Sequence, residues 1–250
     1  MISIKTEKEI AILEEGGAHL SKIVGRLSEF VKPGISTLEL NILFENEVNK
    51  IHAKPSFKNY RGYPSAACIS INEEVVHGIP NKRILRNNQI ISIDVGMIYK
   101  GLYTDMAITV GVGDISKPTQ HLIDTTQSAL YKGIKAAKAG KHLGDISYAI
   151  QEVAQNANLG IIRDLTGHGV GYKVHEEPSI PNYGAKNTGP ILKPGMVLAL
   201  EPMFSMGDHQ VKVADDGWTV YTKDRSISAH FEHTIVITKQ TAKIITVDKE

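Results

Sequence analysis

The sequence has little cysteine, no long apolar run and no excess of charge of either sign. Its single cysteine, Cys68, excludes an intrachain disulfide and is typical of a reducing compartment. No stretch approaches the roughly 18 uninterrupted apolar residues of a membrane span, and the charged segment 1–30 does not resemble a secretory signal. We therefore expect a cytoplasmic protein that does not bind membranes.

The charges are nearly balanced, with 28 basic and 27 acidic side chains and a formal net charge of +1. This balance gives no reason to expect direct binding of nucleic acid or of an anionic membrane. The 250 residues leave room for one large domain or two small ones.

The chain contains a faint internal repeat. The segment KPGISTLEL at 32–40 is echoed by KAGKHLGDI at 138–146, and LRNNQIISID, ending at Asp94, is echoed by LKPGMVLALE, ending at Glu201. TDMAITV around Asp105 is similarly matched by FEHTIVI around Glu232. We interpret residues 1–250 as a single catalytic domain whose repeats span approximately 5–112 and 115–240.

Each predicted half has helices followed by strands that carry two acids. We expect an α+β fold in which two antiparallel sheets, related by a pseudo-two-fold axis and covered by helices on one side, bring the four acids to one cleft. Chance similarity remains the alternative for the helical segments alone. Buried acids, however, are rare unless they are paired or bound to a metal.

The stretch ISIDVGMIYKGLYTDMAITV at 91–110 predicts a β-hairpin. A turn centred between Tyr99 and Lys100 would place Asp94 directly opposite Asp105. Like charges so placed repel, so we expect a cation between them or a proton on one of them.

Four clustered carboxylates could hold two divalent cations about 3.5 Å apart. A histidine would favour Mn, Fe, Co or Zn. His168 and His175 lie in the glycine-rich stretch LTGHGVGYKVHEEPSI, and His77 lies in VVHGIPN. For each histidine alone, a structural role is the alternative.

Five motifs together resemble the type I methionine aminopeptidases: HGIP at His77, DVGMIYKGLYTD at 94–105, GHGVGYKVHEEP around His168, LALEPM at Glu201 and FEHTIVI at Glu232. The resemblance covers essentially the whole chain. It implies the "pita-bread" fold and a centre of two divalent ions (Co, Mn, Fe or Zn). By resemblance, Asp94 would bind one ion, Asp105 and Glu232 would bridge both, and His168 and Glu201 would complete the other.

The resemblance also implies the reaction, which is removal of the initiator methionine from nascent polypeptides with a small second residue. A hydroxide bridging the ions would attack the scissile carbonyl. Glu201 would move its proton, His175 would stabilise the oxyanion and His77 would contact the scissile nitrogen.

Matching positions suggest a methionine pocket walled by Phe57, Tyr60, Tyr63, Cys68 and Trp218, although ordinary core packing is the alternative for each. Two residues depart from the family pattern. Val76 stands where many relatives have cysteine, and Val174 replaces a frequent aromatic residue. The change at Val174 could relax selectivity, or Phe57 could fill the space.

The family also holds a structural Na or K ion, which would fall at the backbone of Asn72, Glu74 and Ser228. The expected partners are the N-termini of nascent chains and the ribosome, from which nascent chains emerge. We expect a monomer.

Two other functions remain open. One is a proline-directed peptidase of the aminopeptidase P or prolidase kind, although the first helical pattern begins by Thr6 and leaves no room for the N-terminal domain typical of those enzymes. The other is a metal-free binding module, but this sequence retains all five ligand positions.

Overall fold

The computed structural model describes residues 1–248 as four α-helices, fifteen strands and one short 3-10 turn at Tyr60–Gly62. The helices are α1 (Glu7–Glu29), α2 (Thr37–Lys50), α3 (Lys117–Ala136) and α4 (Leu143–Asn156). The strands are β1 (Lys54–Pro55), β2 (Ala67–Ile71), β3 (Glu74–Val76), β4 (Gln89–Tyr99), β5 (Leu102–Val112), β6 (Gly160–Ile161), β7 (Thr166–Gly169), β8 (Glu176–Pro181), β9 (Val197–Leu200), β10 (Met203–Ser205), β11 (Val211–Val213), β12 (Val220–Thr222), β13 (Ser228–His230), β14 (Glu232–Ile237) and β15 (Ala242–Ile244). Within this described part, no helix is long and apolar enough to cross a membrane.

The repeated sequence motifs mark the starts of α2 and α4. The Ser36 N–H donates to the Glu39 carboxylate at the start of α2, and the His142 N–H donates to Asp145 at the start of α4. An acid three residues into a helix that binds the cap N–H in this way satisfies one of the free donors at the helix terminus.

The chain before each of these helices also makes equivalent contacts. The Gly34 N–H donates to the Leu85 carbonyl over 2.9 Å, and the Gly140 N–H donates to the Leu192 carbonyl over the same distance. Isolated bridges join Ser36 to Ile84 and His142 to Ile191. Such matched contacts are those that a duplicated chain would form.

The main sheet has nine strands and runs through both halves of the chain. Its order is β1-β4-β5-β14-β9-β7-β8, with β2 also on β4 and β15 also on β14. Two smaller sheets have the orders β13-β10-β6 and β11-β12-β3. The antiparallel α+β class is confirmed, but the expected two sheets are one sheet here, because β5 pairs with β14 at Ala107 and Glu232 and neither strand is left as a free edge.

One face of this sheet is covered by helices. Ile91, Ile93 and Val95 of β4 are buried in a cluster with side chains of α1 and α2, and Leu198 of β9 and Ile235 of β14 are buried in a cluster with α3 and α4. Because side chains alternate along a strand, residues of the other parity point to the opposite face. The polar residues of the sequence motifs lie there.

Candidate metal centre and its cavity

The hairpin that carries Asp94 and Asp105 has a different register from the predicted one. Asp94 lies opposite Ala107, and Asp105 lies opposite Gly96. The turn is centred one residue later than predicted, between Lys100 and Gly101, which both have positive φ (47° and 85°). Positive φ at both central residues matches the twist of paired strands, so this two-residue turn fixes the register. The predicted direct pairing is therefore wrong.

The two aspartates nevertheless share a face of the sheet, as diagonal neighbours. Glu232 of β14 lies on the other side of Ala107, so that Asp94, Ala107 and Glu232 form a row across three strands. A short Ala107 side chain in the middle of the row leaves space between the carboxylates.

The other half of the sheet brings two more groups to the same face. His233 of β14 pairs with Leu200, which places Glu201, just after β9, beside Glu232. His168 of β7 pairs with Ala199. By the alternation of side chains, His168 and Glu201 therefore point to the face that carries Asp94, Asp105 and Glu232.

The side-chain atoms are close enough to share ions. Potential ligand atoms of Asp105, His168 and Glu232 all lie within 4.8 Å of one another. Glu201 Oε1 lies 3.5 Å from His168 Nε2. All of these groups are largely buried, and the Asp94 Oδ1 and Glu232 Oε1 atoms have no hydrogen-bond partner among the described residues.

Without a cation the four carboxylates destabilise one another. Burial, with the Glu201 charge adding to it and His230 opposing it, raises the pKa of Asp94 to about 7. Burial raises the pKa of Glu201 to about 7, against the opposing effect of His168. Burial and then the neighbouring acids raise the pKa of Asp105 and of Glu232 well above their usual values. The cluster therefore binds either protons or cations.

A hydrogen bond to the backbone orients the His168 ring. Its Nδ1 donates to the carbonyl oxygen of Gly169 at 2.9 Å, which leaves Nε2 directed at the cluster. Nε2 lies 3.5 Å from Glu201 Oε1, and either a proton on Nε2 or a metal ion between the two atoms would make this approach favourable. A histidine held at one nitrogen by a backbone carbonyl is typical of metal ligands, and the donor set fits divalent cations.

Thr234 holds the two halves together beside the centre. Its Oγ1 accepts the Asp105 N–H at 2.9 Å and donates to the Asp105 carbonyl at 2.8 Å. β5 pairs with β14 at Met106 and Ala107, and next to this pairing the Thr234 hydroxyl satisfies the backbone N–H and carbonyl of Asp105.

His175 lies beside the carboxylate cluster without belonging to it. Its ring centroid is 4.4 Å from that of His168, and the hydroxyl of Tyr60 lies 3.1 Å from its Nδ1. Reduced access to water, and then the nearby His168, lower the pKa of His175 to about 3. If Tyr60 donates to Nδ1, the neutral ring keeps an N–H on Nε2 that can donate to a ligand.

His77 is held in an uncommon backbone conformation, with φ of 59°. The next residue, Gly78, packs so closely on β2 that an added Cβ would lie 2.4 Å from the Ile69 carbonyl oxygen. The Tyr63 hydroxyl also lies 3.0 Å from the Gly78 carbonyl. Burial lowers the pKa of His77 to about 4. Strain of this kind is often found at functional sites.

The structure gathers the predicted site residues around one cavity of about 300 Å³. This volume lies at the lower end of the range for small-ligand sites. The wall carries Asp94, Asp105, His168, Glu201, Glu232, His77 and His175, together with the predicted apolar residues Phe57, Tyr60, Tyr63, Cys68 and Trp218.

The two positions that depart from the family pattern differ in their placement. Val76 lines the cavity. Val174 is buried in a cluster with Phe57, Tyr63 and Cys68 and is not among the cavity-lining residues. Phe57 belongs to that cluster and also lines the cavity, and the filling of the space at Val174 by Phe57 stays a prediction.

The predicted monovalent-cation residues lie near one another. The Oγ of Ser228 is 3.2 Å from the carbonyl oxygens of both Asn72 and Glu74. The Glu74 side chain is directed elsewhere, to the guanidinium of Arg83. Backbone carbonyls of Asn72 and Glu74, and not carboxylates, converge here.

Sequence reasoning missed His230, the last residue of β13. It is buried, its Nε2 lies 3.5 Å from Glu201 Oε2, and neither ring nitrogen has a hydrogen-bond partner among the described residues. It stands two residues before Glu232 in the sequence, but β13 and β14 belong to different sheets, so no local pattern marks it. Arg61, Asp164, Leu165, Thr166 and Met203, which also line the cavity, were not predicted.

Comparison with known proteins gives a consistent family. The model of metallopeptidase family M24 matches residues 11–239. The chain is 47% identical to methionine aminopeptidase 1 of Bacillus subtilis over 246 residues, which cover 98% of this chain and 99% of that one. It is 43% identical to the methionine aminopeptidase of Clostridium perfringens, with full coverage of both chains.

Solved structures agree with these relatives. The crystal structure of a methionine aminopeptidase from Thermotoga maritima superimposes with a TM-score of 0.97 at 44% identity, covering 99% of this chain and 100% of that one. The prolidase of Pyrococcus horikoshii gives a TM-score of 0.80 at 23% identity, covering 99% of this chain and 64% of the prolidase. The second likeness shows a shared fold alone.

Proposed function

The chain belongs to metallopeptidase family M24, with the pita-bread fold of its structural neighbours, and from this premise we propose that it is a metal-dependent aminopeptidase that removes an N-terminal methionine. One observation carries the proposal. Five candidate ligands from separate parts of the sequence meet on one face of the sheet, at the wall of a cavity with an apolar side.

The centre would hold two divalent ions. Asp94 would bind one, Asp105 and Glu232 would lie between both, and His168 with Glu201 would hold the other. Bound there, divalent ions would polarise the scissile carbonyl and lower the pKa of water from 15.7 to about 7. Mn, Fe, Co and Zn all suit ligands of mixed carboxylate and imidazole type.

Glu201 would act as the proton carrier. Its carboxylate lies at the cavity wall beside the other candidate ligands, where it could accept a proton from the attacking water and return one to the leaving amine. Its Oε1 lies 3.5 Å from His168 Nε2, and its Oε2 lies 3.5 Å from His230 Nε2.

Two histidines would orient the substrate. His175, neutral at pH 7 and held at Nδ1 by Tyr60, would donate its Nε2–H to the oxygen of the scissile carbonyl as negative charge develops. His77, on the wall of the same cavity, would hydrogen-bond at the scissile nitrogen. Neutral histidines suit both roles, because a neutral ring can still donate one hydrogen bond.

The free α-amine of the substrate would lie beside Asp94. A chain with residues extending beyond its N-terminus could not place its carbonyl over the cluster, so geometry would limit cleavage to one residue. The methionine side chain would lie among Phe57, Tyr60, Tyr63, Cys68 and Trp218, and we expect a preference for a small second residue.

A proline-directed peptidase is the second candidate, since prolidases share the fold. Relatives more than 40% identical over the full chain are named methionine aminopeptidases, whereas the prolidase likeness is 23% identical. A metal-free binding module is disfavoured by the retained ligand set. We therefore place the methionine enzyme first.

A Na or K ion would bind the Asn72 and Glu74 carbonyls near Ser228. The substrates would be N-termini of nascent chains in the cytoplasm, with the enzyme acting as a monomer near the ribosome.

The test is metal-dependent release of methionine. Chelated protein should not cleave a Met-Ala-Ser peptide, added Mn or Co should restore cleavage, and Glu201→Ala should remove it. An x-Pro-y peptide should be a poor substrate. Full turnover of Met-Ala-Ser after chelation, with no metal detected by mass spectrometry, would contradict the proposal.

A further inference from the structure

Lys5, before the first helix, has a fully buried side chain far from the metal centre in sequence. Its Nζ donates to Glu176 Oε2 over 2.7 Å and also to the hydroxyl of Ser3, which itself donates to Glu176. The ammonium lies 4.5 Å from the centre of the Tyr172 ring. A buried lysine is costly unless it is paired, so this segment is held by a specific partner.

Glu176, the partner of Lys5, also binds the backbone of the loop that carries His175. The Oε1 atom of Glu176 accepts the backbone N–H groups of Tyr172 and Lys173, the latter at 3.0 Å. One carboxylate therefore closes the loop 172–176 on one side and binds Lys5 and Ser3 on the other. His175 is the residue directly before Glu176.

The ionised form of Glu176 is favoured by its bonds to Lys5 and Ser3. Burial alone would raise the pKa of Glu176, but the hydrogen bonds from Lys5 and Ser3 hold the pKa below its usual value. The carboxylate is thus ionised at neutral pH and keeps all of its acceptor capacity for the loop and for Lys5.

Two glycines leave space for the segment that contains Lys5. A Cβ on Gly171 would lie 2.4 Å from the Lys5 Cε, and one on Gly195 would lie 2.7 Å from Ile4 Cγ2. The Lys5 N–H donates to the Gly195 carbonyl at 2.8 Å. The segment is therefore seated between two glycines, with the lysine stem passing directly under the loop.

We propose that Lys5 is a positioning residue for His175, acting through Glu176 to hold the loop 172–176 in the conformation that points His175 into the cavity. The proposal rests on the function proposed above, in which His175 touches the substrate. Lys5 itself does not contact the substrate space. A merely structural Lys5 would affect folding without selectively affecting turnover.

The test compares Mn-loaded Lys5→Met with Lys8→Met, which changes an exposed lysine three residues further on. Lys5→Met keeps the apolar stem and removes the charge. A displacement of His175 by about 1 Å should lower kcat on Met-Ala-Ser by up to about 100-fold. KM and the affinity for Mn should stay close to those of the wild type, and Lys8→Met should behave as the wild type.

Hydrogen exchange gives a readout that does not depend on activity. In Lys5→Met the amides of Tyr172 and Lys173 should exchange faster than in the wild type, while amides in β4 should not change. Ser3→Ala removes one bond to the same carboxylate and should give a smaller loss of kcat in the same direction. It also serves as the second variant if Lys5→Met fails to fold.

The outcomes separate the two proposals. Wild-type kcat in folded Lys5→Met and in Ser3→Ala, or unchanged exchange at Tyr172 and Lys173, would overturn the role of Lys5. Equal losses of kcat and of Mn affinity would also overturn it, since the centre itself would then be disturbed. An inactive wild-type protein would contradict the proposed function, and the exchange measurement would then decide the role of Lys5.

Discussion

The side chains of the site differ in charge and in hydrogen bonding, and these differences indicate different roles. Asp94, Asp105 and Glu232 are buried acids with raised pKa values, so they bind either protons or cations. His175 is neutral and held by Tyr60, which suits it for donating a hydrogen bond. These differences in surroundings separate the predicted ligands from the predicted substrate contacts.

Replacement of His175 tests this division directly. His175→Ala should lower kcat on Met-Ala-Ser by about 10²–10³, or about 2.7–4 kcal/mol of transition-state stabilisation, because the oxyanion loses its donor. Binding of Mn, measured by calorimetry, should change little. Tyr60→Phe, which removes only the contact at Nδ1, should give a smaller loss. Unchanged kcat in His175→Ala would exclude the assigned role.

At the residue scale, the sequence alone was a good guide to which residues lie at the cavity. The five ligand positions, His77 and His175 lie in motifs that together resemble the family, whereas the apolar wall was predicted only from positions that match the family. His230 has no such motif, because a histidine at the end of a short strand is indistinguishable from a structural one until its neighbours in space are known. Its approach to Glu201 depends on the pairing of β13 with β10, which no local pattern predicts.

At the scale of secondary-structure elements, strand register and strand pairing determine where the site residues lie. The hairpin β4–β5 was predicted, but its register was wrong by one turn position, because positive φ at Lys100 is not evident from the sequence. The union of both halves in one sheet was also missed, since pairing of β5 with β14 is a long-range contact. The face that carries the acids was nevertheless correct, because parity survives a shift of two residues.

Gly96 links the hairpin to the pocket wall. A Cβ there would lie 2.0 Å from Ser56 Oγ and 2.9 Å from Phe57 Cε1. Gly96→Ala should therefore displace Phe57, raise KM for Met-Ala-Ser and destabilise the protein by about 1–3 kcal/mol.

Gly101→Ala is the matched control for that variant. Gly101 has φ of 85° and no atom within 4 Å of an added Cβ, so alanine there should cost about 1 kcal/mol of stability without changing KM. Kinetics and thermal unfolding of both variants make the comparison. An unchanged KM in Gly96→Ala would argue against Phe57 as part of the methionine pocket.

At the scale of the whole molecule, the buried acids from the two halves of the chain form one cluster. Without a bound cation this cluster destabilises the folded protein. The folded-state pKa values of the four acids lie above those of unfolded carboxyls, so these acids hold extra protons in the folded protein. Below about pH 6.5 the buried His77, His175 and His233 oppose this effect, because their lowered pKa values leave them with fewer protons than in the unfolded chain. Above about pH 6.5 the acids dominate, and the stability of the metal-free protein should fall as pH rises.

Thermal unfolding of chelated protein between pH 6.5 and pH 8 checks this expectation. The melting temperature should decrease with pH, and the decrease should be smaller with Mn present, because bound cations replace the protons and stabilise the folded state. A melting temperature of chelated protein that rises steadily over this range would show that the cluster is not strained.

The central claim is that Asp94, Asp105, His168, Glu201 and Glu232 surround two divalent ions. Anomalous diffraction from crystals soaked in Mn tests it most directly. The account predicts two peaks about 3.5–4 Å apart, one beside Asp94, one beside His168 and Glu201, with Asp105 and Glu232 between them. Density showing these five side chains closed on each other with no anomalous peak among them would contradict it.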